Sequence, residues 1–146
     1  MRVVLDTNIL LRAAQPSHPQ WQLAIDAVQR LIVSQHDTCI VPQTIYEFWV
    51  VATRPQRANG LEMSVAQADA EVEQLLRLNI LLEDNAQVFP EWRALVQRHQ
   101  VSGKRAHDAR IAAAMRVHGV GHILTFNHAD FASFDGVTAV PVIPGG

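Results

Sequence analysis

Four acidic residues of this sequence stand where carboxylates could gather around a cation. Asp6 directly follows the apolar run 3–5, whereas Glu47, Asp108 and Asp130 each lie near the start of a helical segment. Ligands of parallel α/β sheets bind beyond the carboxyl ends of the strands. Carboxylates gathered at such an edge repel one another unless a cation lies among them. We therefore expect these four acids to form one metal-binding site.

The residue types around this predicted site favour Mg²⁺ or Mn²⁺. Both ions take hard oxygen ligands, and Mg²⁺ keeps several waters and needs only one or two carboxylates. Cys39 has no cysteine partner and no H-E-x-x-H motif occurs, so the pattern does not indicate zinc. Supporting polar side chains that can hydrogen-bond to a carboxylate or to water are Thr7, Asn8, Thr125 and Asn127.

Helix capping competes with metal binding as an explanation of Asp6 and Asp108. Asp6 precedes Thr7 and Asn8, which can both cap the following helix, so capping and metal binding explain Asp6 equally well. Asp108 lies in the first turn of a predicted helix, where the helix dipole favours an acid. The small apolar residues 109–114 indicate a helix packed closely on the sheet, and burial makes an unpaired carboxylate costly.

Two further pairs have the spacing of a capping box, namely Thr44 with Glu47 and Asn127 with Asp130. Capping explains each pair separately. It does not explain why a carboxylate recurs after the first, second and fourth predicted strands. That recurrence favours a shared site over four independent caps.

Arginine supplies nearly all the positive charge, with eleven arginines and the single Lys104. Arginine suits bidentate contact with phosphate. Arg54, Arg105 and Arg110 lie near the acidic positions in sequence, so we expect them to contact phosphate groups, with a solvated surface role as the alternative for each. The net charge of −2 provides no overall basic field that would indicate nucleic-acid binding.

The elements that must position these residues alternate along the chain. Strands are predicted at 2–6, 38–42, 79–83, 122–126 and 137–143. Helices are predicted at 7–14, 19–34, 44–52, 64–77, 86–100, 106–118 and, as a short turn, 127–131. This alternation predicts an α/β fold: a three-layer α/β/α sandwich around a parallel sheet of about five strands. We expect residues 1–146 to form a single domain.

Composition limits the class of protein further. Hydrophobic residues make up 49% and charged residues 18% of the chain, which is typical of a globular domain. The apolar runs are short, and the N-terminus leads directly into a strand, so neither a membrane span nor a signal peptide is predicted. One cysteine excludes an intramolecular disulfide, which favours a reducing cytoplasm.

The motifs together resemble those of PIN-domain ribonucleases, and most of all the VapC-type toxins of type II toxin–antitoxin pairs. The resemblance rests on the segments 3–8 (VVLDTN), 47–49 (EFW), 107–113 (HDARIAA) and 125–131 (TFNHADF), and it covers nearly the whole chain. It implies a Mg²⁺- or Mn²⁺-dependent endoribonuclease that forms a homodimer and is inhibited by a cognate antitoxin. Trp21 or Phe48 could supply an apolar dimer face.

The same resemblance implies roles for particular residues. Asp6, Glu47 and Asp108 would form the acidic core, with Asp130 as the fourth acid. Some members carry an acid where this chain has Asn127, so the fourth ligand is either Asn127 or Asp130. The number of bound ions stays open.

Two other functions compete with the nuclease. A catalytically idle PIN-like module could use the acidic groove to bind a basic partner peptide. A phosphatase with Asp6 as nucleophile is weaker, because the residue two positions beyond Asp6 is Asn8 and no D-x-D pair results. Neither a phosphate-binding glycine loop nor a nucleophile elbow occurs in the sequence.

Overall fold

The computed structural model describes residues 1–144, in which five parallel strands form one sheet of order β3-β2-β1-β4-β5. Gly145 and Gly146, which the sequence analysis assigns to the same domain, lie outside the described residues. The strands are β1 (Arg2–Leu5), β2 (Asp37–Ile40), β3 (Ile80–Leu81), β4 (His122–Thr125) and β5 (Thr138–Pro141). The helices are α1 (Thr7–Ala13), α2 (Trp21–Val33), α3 (Pro42–Thr53), α4 (Val65–Leu78), α5 (Val88–Arg98), α6 (Arg105–Val117) and α7 (His128–Ala132), with a 3₁₀ turn at Gln56–Ala58.

Helices cover both faces of the sheet, which confirms the predicted three-layer α/β/α sandwich. Val3 and Leu5 of β1 pack with buried residues of α1, α2, α3 and α4. Val4, which points to the opposite face, packs with α5, α6 and α7. Strands buried on both faces are continuously apolar, which explains the uninterrupted run 3–5.

The strand order places a crevice between β1 and β4. The chain proceeds outward from β1 through β2 to β3, then returns to the other side of β1 to form β4 and β5. Leu5 is in register with Leu124, so the carboxyl ends of β1 and β4 lie side by side. Such a reversal of strand order is where ligands of open α/β sheets bind.

The predicted capping box at Thr44 and Glu47 is wrong, because α3 begins two residues earlier than expected. Val41 is the N-cap residue and Pro42 occupies the first helical position, where its missing N–H costs nothing. The Thr44 hydroxyl donates instead to the carbonyl of Val41. Glu47 therefore lies in the second turn of α3 and is free of a capping role.

The remaining differences concern element ends and one core residue. β3 spans only Ile80–Leu81 of the predicted 79–83, and β5 ends at Pro141 rather than at 143. Phe48 is fully buried in the core beneath α3, so it cannot supply the dimer face suggested for it. Within residues 1–144, no helix is both long and apolar enough to cross a membrane.

Candidate active site

Capping, one of the two explanations that the sequence offers for Asp6, is observed, and it occupies only one of the two carboxylate oxygens. It is the N-cap residue of α1, and its Oδ1 accepts the Thr7 backbone N–H at 2.8 Å. Thr7 and Asn8, which were also able to cap, are instead the first two residues of α1. The second oxygen, Oδ2, accepts the Thr125 hydroxyl at 2.7 Å. The residue is only 4% exposed, so its carboxyl group is held in one orientation at the edge of the cavity described below.

Thr125 connects this carboxylate to the segment after β4. Its hydroxyl group donates a hydrogen bond to Asp6, and the same hydroxyl oxygen accepts the Asn127 backbone N–H at 2.8 Å. Nearby, the Phe126 backbone N–H donates to the Asn8 side-chain oxygen at 3.4 Å. The polar residues singled out by sequence therefore join the ends of β1 and β4 across the crevice.

Glu47 reaches the same place from α3. Its Oε2 accepts the Thr7 hydroxyl at 2.5 Å, and its Oε1 accepts the Gln43 side-chain amide at 3.3 Å. The Gln43 amide nitrogen also lies 3.3 Å from Nδ1 of His107. Thr7 and Gln43 thus fix the Glu47 carboxylate from neighbouring elements without supplying a positive charge.

A cavity of about 700 Å³ contains the side chains that the sequence predicted to converge. Its lining includes Thr7, Glu47, Asp108, Asn127 and Asp130, contributed by α1, α3, α6 and the segment around α7. Asp6 is not among the lining residues, but it lies close enough to Asp108 for their charges to interact. The structure therefore brings all four acids to one edge of the sheet, although they are spread over most of the chain.

Burial and mutual repulsion disfavour ionisation of two of these acids. Burial raises the pKa of Asp6 to about 6, against the opposing effect of hydrogen bonds from Thr125 and Thr7. Burial is also the main reason why the pKa of Asp108 rises to about 7, and the charges of Asp6, Asp130 and Glu47 raise it further. Arg105 lowers the pKa of Asp108, but less than these effects raise it. An added cation would relieve this repulsion.

Arg105 is the one predicted phosphate-binding arginine that lines the cavity, where Lys104 accompanies it. Its Nη2 donates to the Ser133 hydroxyl at 2.8 Å, and its guanidinium lies 5.4 Å from the Phe134 ring centroid. These contacts hold Arg105 beside the acids.

Arg110 and Arg54 lie outside the lining of this cavity. Arg110 donates to Asp84 at 2.8 Å, and Arg54 donates to the Asn59 carbonyl at 3.2 Å. Arg110 follows Asp108 by two positions, and residues at that spacing face different sides of a helix. Arg105 precedes Asp108 by three positions and shares its side.

Asp130 is the stronger candidate than Asn127 for the fourth ligand. Asn127 occupies the N-cap position of α7 without making a side-chain capping bond, so the predicted capping box with Asp130 does not form. Asn127 is exposed, whereas Asp130 is partly buried and interacts electrostatically with both Asp6 and Asp108. A carboxylate is also the better ligand for a hard cation.

Sequence reasoning missed much of the α3 wall of the cavity. Gln43, Tyr46, Val50 and Val51 all line it, and so does the exposed His107. A usable signal existed, because residues three or four positions from Glu47 share its helix face. Applying that spacing once Glu47 had been chosen would have selected Gln43, Val50 and Val51.

The donor set fits a hard divalent cation held partly through water. All four charged side chains offer oxygen, as Mg²⁺ and Mn²⁺ prefer. Among residues 1–144, no three His, Cys, Asp or Glu side chains form a group that could hold an ion by themselves. Mg²⁺ does not require such a group, because it commonly uses one or two carboxylates and keeps several waters.

A family model described as the PIN domain matches residues 3–137. Comparison with curated protein sequences gave no match. The family match covers most of the chain, including all four acids.

Solved structures with the same fold cover nearly the whole chain. VapBC2 from Rickettsia felis, bound to a promoter DNA fragment, is 14% identical, covering 97% of this chain and 98% of its own at a TM-score of 0.72. DNA-bound VapBC from Salmonella typhimurium is 18% identical, with coverages of 98% and 99% and a TM-score of 0.69. VapC20 of Mycobacterium tuberculosis, described as a toxin that cleaves the sarcin–ricin loop, is 18% identical, with coverages of 93% and 98% and a TM-score of 0.64. At these identities the likeness establishes the shared fold.

Proposed function

This chain belongs to the PIN-domain family, and from that premise we propose that it is a Mg²⁺- or Mn²⁺-dependent endoribonuclease, the toxin of a toxin–antitoxin pair. One observation carries the proposal: Glu47, Asp108 and Asp130 line one cavity beside the buried Asp6, and burial and mutual repulsion raise the pKa of Asp6 and Asp108. A site that disfavours its own negative charge gains most from a divalent cation. The structural neighbour VapC20, described as a toxin that cleaves the sarcin–ricin loop, supports the choice of substrate.

Asp6 and Asp108 are the proposed direct ligands of the ion. Both lie at the crevice between β1 and β4, and the charge of Asp6 contributes to the raised pKa of Asp108. Glu47 and Asp130 would complete the set through water or orient the attacking water. The hydrogen bonds of Asp6 with Thr7 and Thr125 hold its carboxylate in place before substrate arrives, which reduces the reorganisation that catalysis requires.

Hydrolysis of a phosphodiester needs an activated water and a means of stabilising negative charge on the phosphate. The divalent cation supplies a Lewis acid that polarises the scissile phosphate and activates water. Arg105 and Lys104, beside the acids, would hold the substrate's phosphates. Arg54 and Arg110 remain proposed phosphate contacts only for RNA that extends beyond the cavity, since neither lines it.

Cleavage of RNA with purified protein tests the proposal. We expect cleavage in Mg²⁺ or Mn²⁺, none in excess chelator, and none with Asp6→Asn, because Asn still caps α1 but removes the ligand charge. Asp37→Asn is a matched control, since Asp37 is exposed at the opposite end of the sheet. Cleavage that survives both chelator and Asp6→Asn would exclude this mechanism.

A cognate antitoxin is the proposed protein partner, since several structural neighbours are described as VapBC or toxin–antitoxin complexes. An apolar groove of about 470 Å³ between α2 and α4 supports such a partner. Ile32, Val33 and Leu78 line it and remain largely exposed. The homodimer and the reducing cytoplasm, consistent with a buried free Cys39, belong to the same proposal.

The competing function is a catalytically idle module that binds a basic peptide in the acidic groove. The free carboxylates support it as well, because an arginine side chain could neutralise them. Calorimetric titration with Mg²⁺ separates the two. A nuclease takes up the ion at a site that Asp108→Asn abolishes, whereas a peptide-binding module need not bind Mg²⁺ there.

A further inference from the structure

The cavity has an apolar wall that the proposed metal chemistry does not use. Tyr46, Val50 and Val51 of α3 form this wall, which we call the Tyr46 wall. Tyr46 is 58% exposed and Val50 is 57% exposed. Residues four positions apart lie on one face of a helix, so the two side chains present a continuous apolar surface.

Solitary exposed apolar residues are common and need no explanation. The position of the Tyr46 wall is what distinguishes it, because it shares one cavity with Glu47, Asp108 and the cationic Lys104 and Arg105. Within residues 1–144, the Tyr46 side chain makes no hydrogen bond and no ring–ring contact. Its ring face is therefore available to a ligand in that cavity.

We infer that the Tyr46 wall stacks an unpaired nucleobase of single-stranded RNA that flanks the phosphate bound at the acids. This inference rests on the proposed nuclease function and adds to it the kind of RNA that is bound. A nucleotide carries an anionic phosphate next to a flat aromatic base, and the cavity offers cations on α6 and a tyrosine ring on α3. Aromatic side chains commonly stack bases of single-stranded RNA, whereas bases within a duplex remain stacked on their neighbours.

Charge distribution favours RNA over a second copy of this chain as the occupant of the Tyr46 wall. A second copy of this chain lying on Tyr46 and Val50 would also cover the neighbouring carboxylates of Glu47 and Asp108. Burying those charges without paired cations is costly. RNA held with divalent cations brings the compensating charge and the aromatic base together.

Binding measured by fluorescence anisotropy tests the inference. The protein is the full chain carrying Asp6→Asn, so that bound RNA is not cut. Three probes of equal length are compared: a labelled single-stranded RNA, the same strand in a duplex, and a sugar–phosphate strand without bases. Tyr46→Ala should weaken binding of the single strand roughly 5- to 100-fold, the range expected for losing one base–aromatic stack. Its binding of the baseless strand should not change.

Two variants control for indirect effects. Tyr46→Phe keeps the ring and should bind RNA like the parent protein. Phe89→Ala removes an aromatic residue of similar exposure on α5, outside the cavity, and should leave all affinities unchanged. Thermal denaturation of each variant shows whether it folds, and the Phe variant tests the ring even where the Ala variant is unstable.

The outcomes separate this inference from the proposed function. A base-dependent loss with Tyr46→Ala, recovered with Tyr46→Phe, supports base stacking. Equal losses on the base-bearing and baseless strands, no loss at all, or a change from dimer to monomer by light scattering overturns it. In the otherwise wild-type enzyme, Tyr46→Ala should raise KM for RNA with little change in kcat. Failure of wild-type protein to cleave RNA in any divalent cation would instead reject the nuclease, whatever the anisotropy shows.

Discussion

Carboxylates occupy two contrasting environments in this protein. Around α5 and α6, three acids accept hydrogen bonds from arginines in ion pairs: Asp84 with Arg110, Glu91 with Arg116, and Asp135 with Arg98. In the cavity at the carboxyl edge of the sheet, four acids lie together. Across the described chain, none of these four forms an ion pair with lysine or arginine.

Helix α6 contains both environments and shows that a shortage of cations does not explain the difference. Asp108 faces the cavity, whereas Arg110, two positions later, turns toward Asp84. Arg105 stands beside the cavity but donates to Ser133 and to the Asp130 carbonyl rather than to a carboxylate. These three acids are thus neutralised by the protein itself, whereas the acids of the proposed metal site have no lysine or arginine ion-pair partner within the described residues.

The largest expected effect separates these two sets of acids by activity. Asp108→Asn should lower kcat for RNA cleavage by at least about 100-fold, because it removes a charge that holds the catalytic cation. Asp84→Asn removes an acid that is paired with Arg110. It should leave kcat within about twofold, since surface substitutions away from a site usually have small effects. Steady-state cleavage assays in saturating Mg²⁺ measure both. Similar losses of kcat in the two variants would show that the cavity acids matter no more for cleavage than the paired acids do.

Thr125→Val examines how the cavity holds Asp6 without an ion pair. Valine cannot donate to Asp6 or accept the Asn127 N–H, so the variant should lose about 1–3 kcal/mol in the free energy of unfolding. Urea denaturation provides the measurement. Thr53→Val is the control, because the Thr53 hydroxyl donates only to a carbonyl of its own helix and its loss should cost less than about 0.5 kcal/mol. If both variants lose the same free energy of unfolding, the hydrogen bonds of Thr125 with Asp6 and Asn127 contribute no more than an ordinary helix-surface hydroxyl.

A pH dependence follows from the raised pKa of Asp108. The pKa of Asp108 is about 7 in the folded protein and 3.8 in the unfolded chain. Between these pH values the folded state keeps a proton that the unfolded state has lost. The free energy of unfolding of the metal-free protein therefore falls as the pH rises from about 4 to about 7. Asp108→Asn should therefore raise Tm by about 2–4 °C at pH 8 and by much less at pH 4.5. Calorimetry in chelator measures this, with Asp84→Asn as the control. An equal gain in Tm at both pH values would contradict the raised pKa of Asp108.

The smallest effect concerns the paired acids themselves. Glu91→Gln breaks a partly buried ion pair with Arg116 and should cost about 1 kcal/mol in the free energy of unfolding, with cleavage unchanged. Glu73→Gln breaks a far more exposed pair with Arg77 on α4 and should cost less than about 0.5 kcal/mol. Urea denaturation at low and high salt ranks the two. A larger loss for Glu73→Gln would reverse the ranking.

Local patterns in the sequence were sufficient to predict the sheet and the gathering of the acids. The run 3–5 ending in Asp6 marked β1, and the small residues 109–114 marked a helix packed closely on the sheet. Parallel strands bring their carboxyl ends to one edge, so Asp6, Glu47, Asp108 and Asp130 could be expected to meet there. That expectation needs no knowledge of which helix packs against which.

Helix starts and side-chain partners were harder to predict, since they depend on competing contacts. Pro42 begins α3 earlier than the Thr44–Glu47 spacing suggested, which frees Glu47 to accept the Thr7 hydroxyl. The pairing of Arg110 with Asp84 depends on how α6 is rotated and on where the loop before α5 passes. The exposure of Tyr46 likewise depends on tertiary packing, because periodicity alone does not distinguish a cavity wall from a core face.

The acids of the cavity come from both halves of the chain, and this has a consequence for synthesis on the ribosome. Asp6 and Glu47 emerge early, whereas Asp108 and Asp130 follow much later. β4, which supplies Thr125, must insert beside β1 before the crevice exists. Long-range contacts of this kind form only after the intervening chain is available. The site of the proposed nuclease is therefore completed only after the segment around Asp130 has left the ribosome.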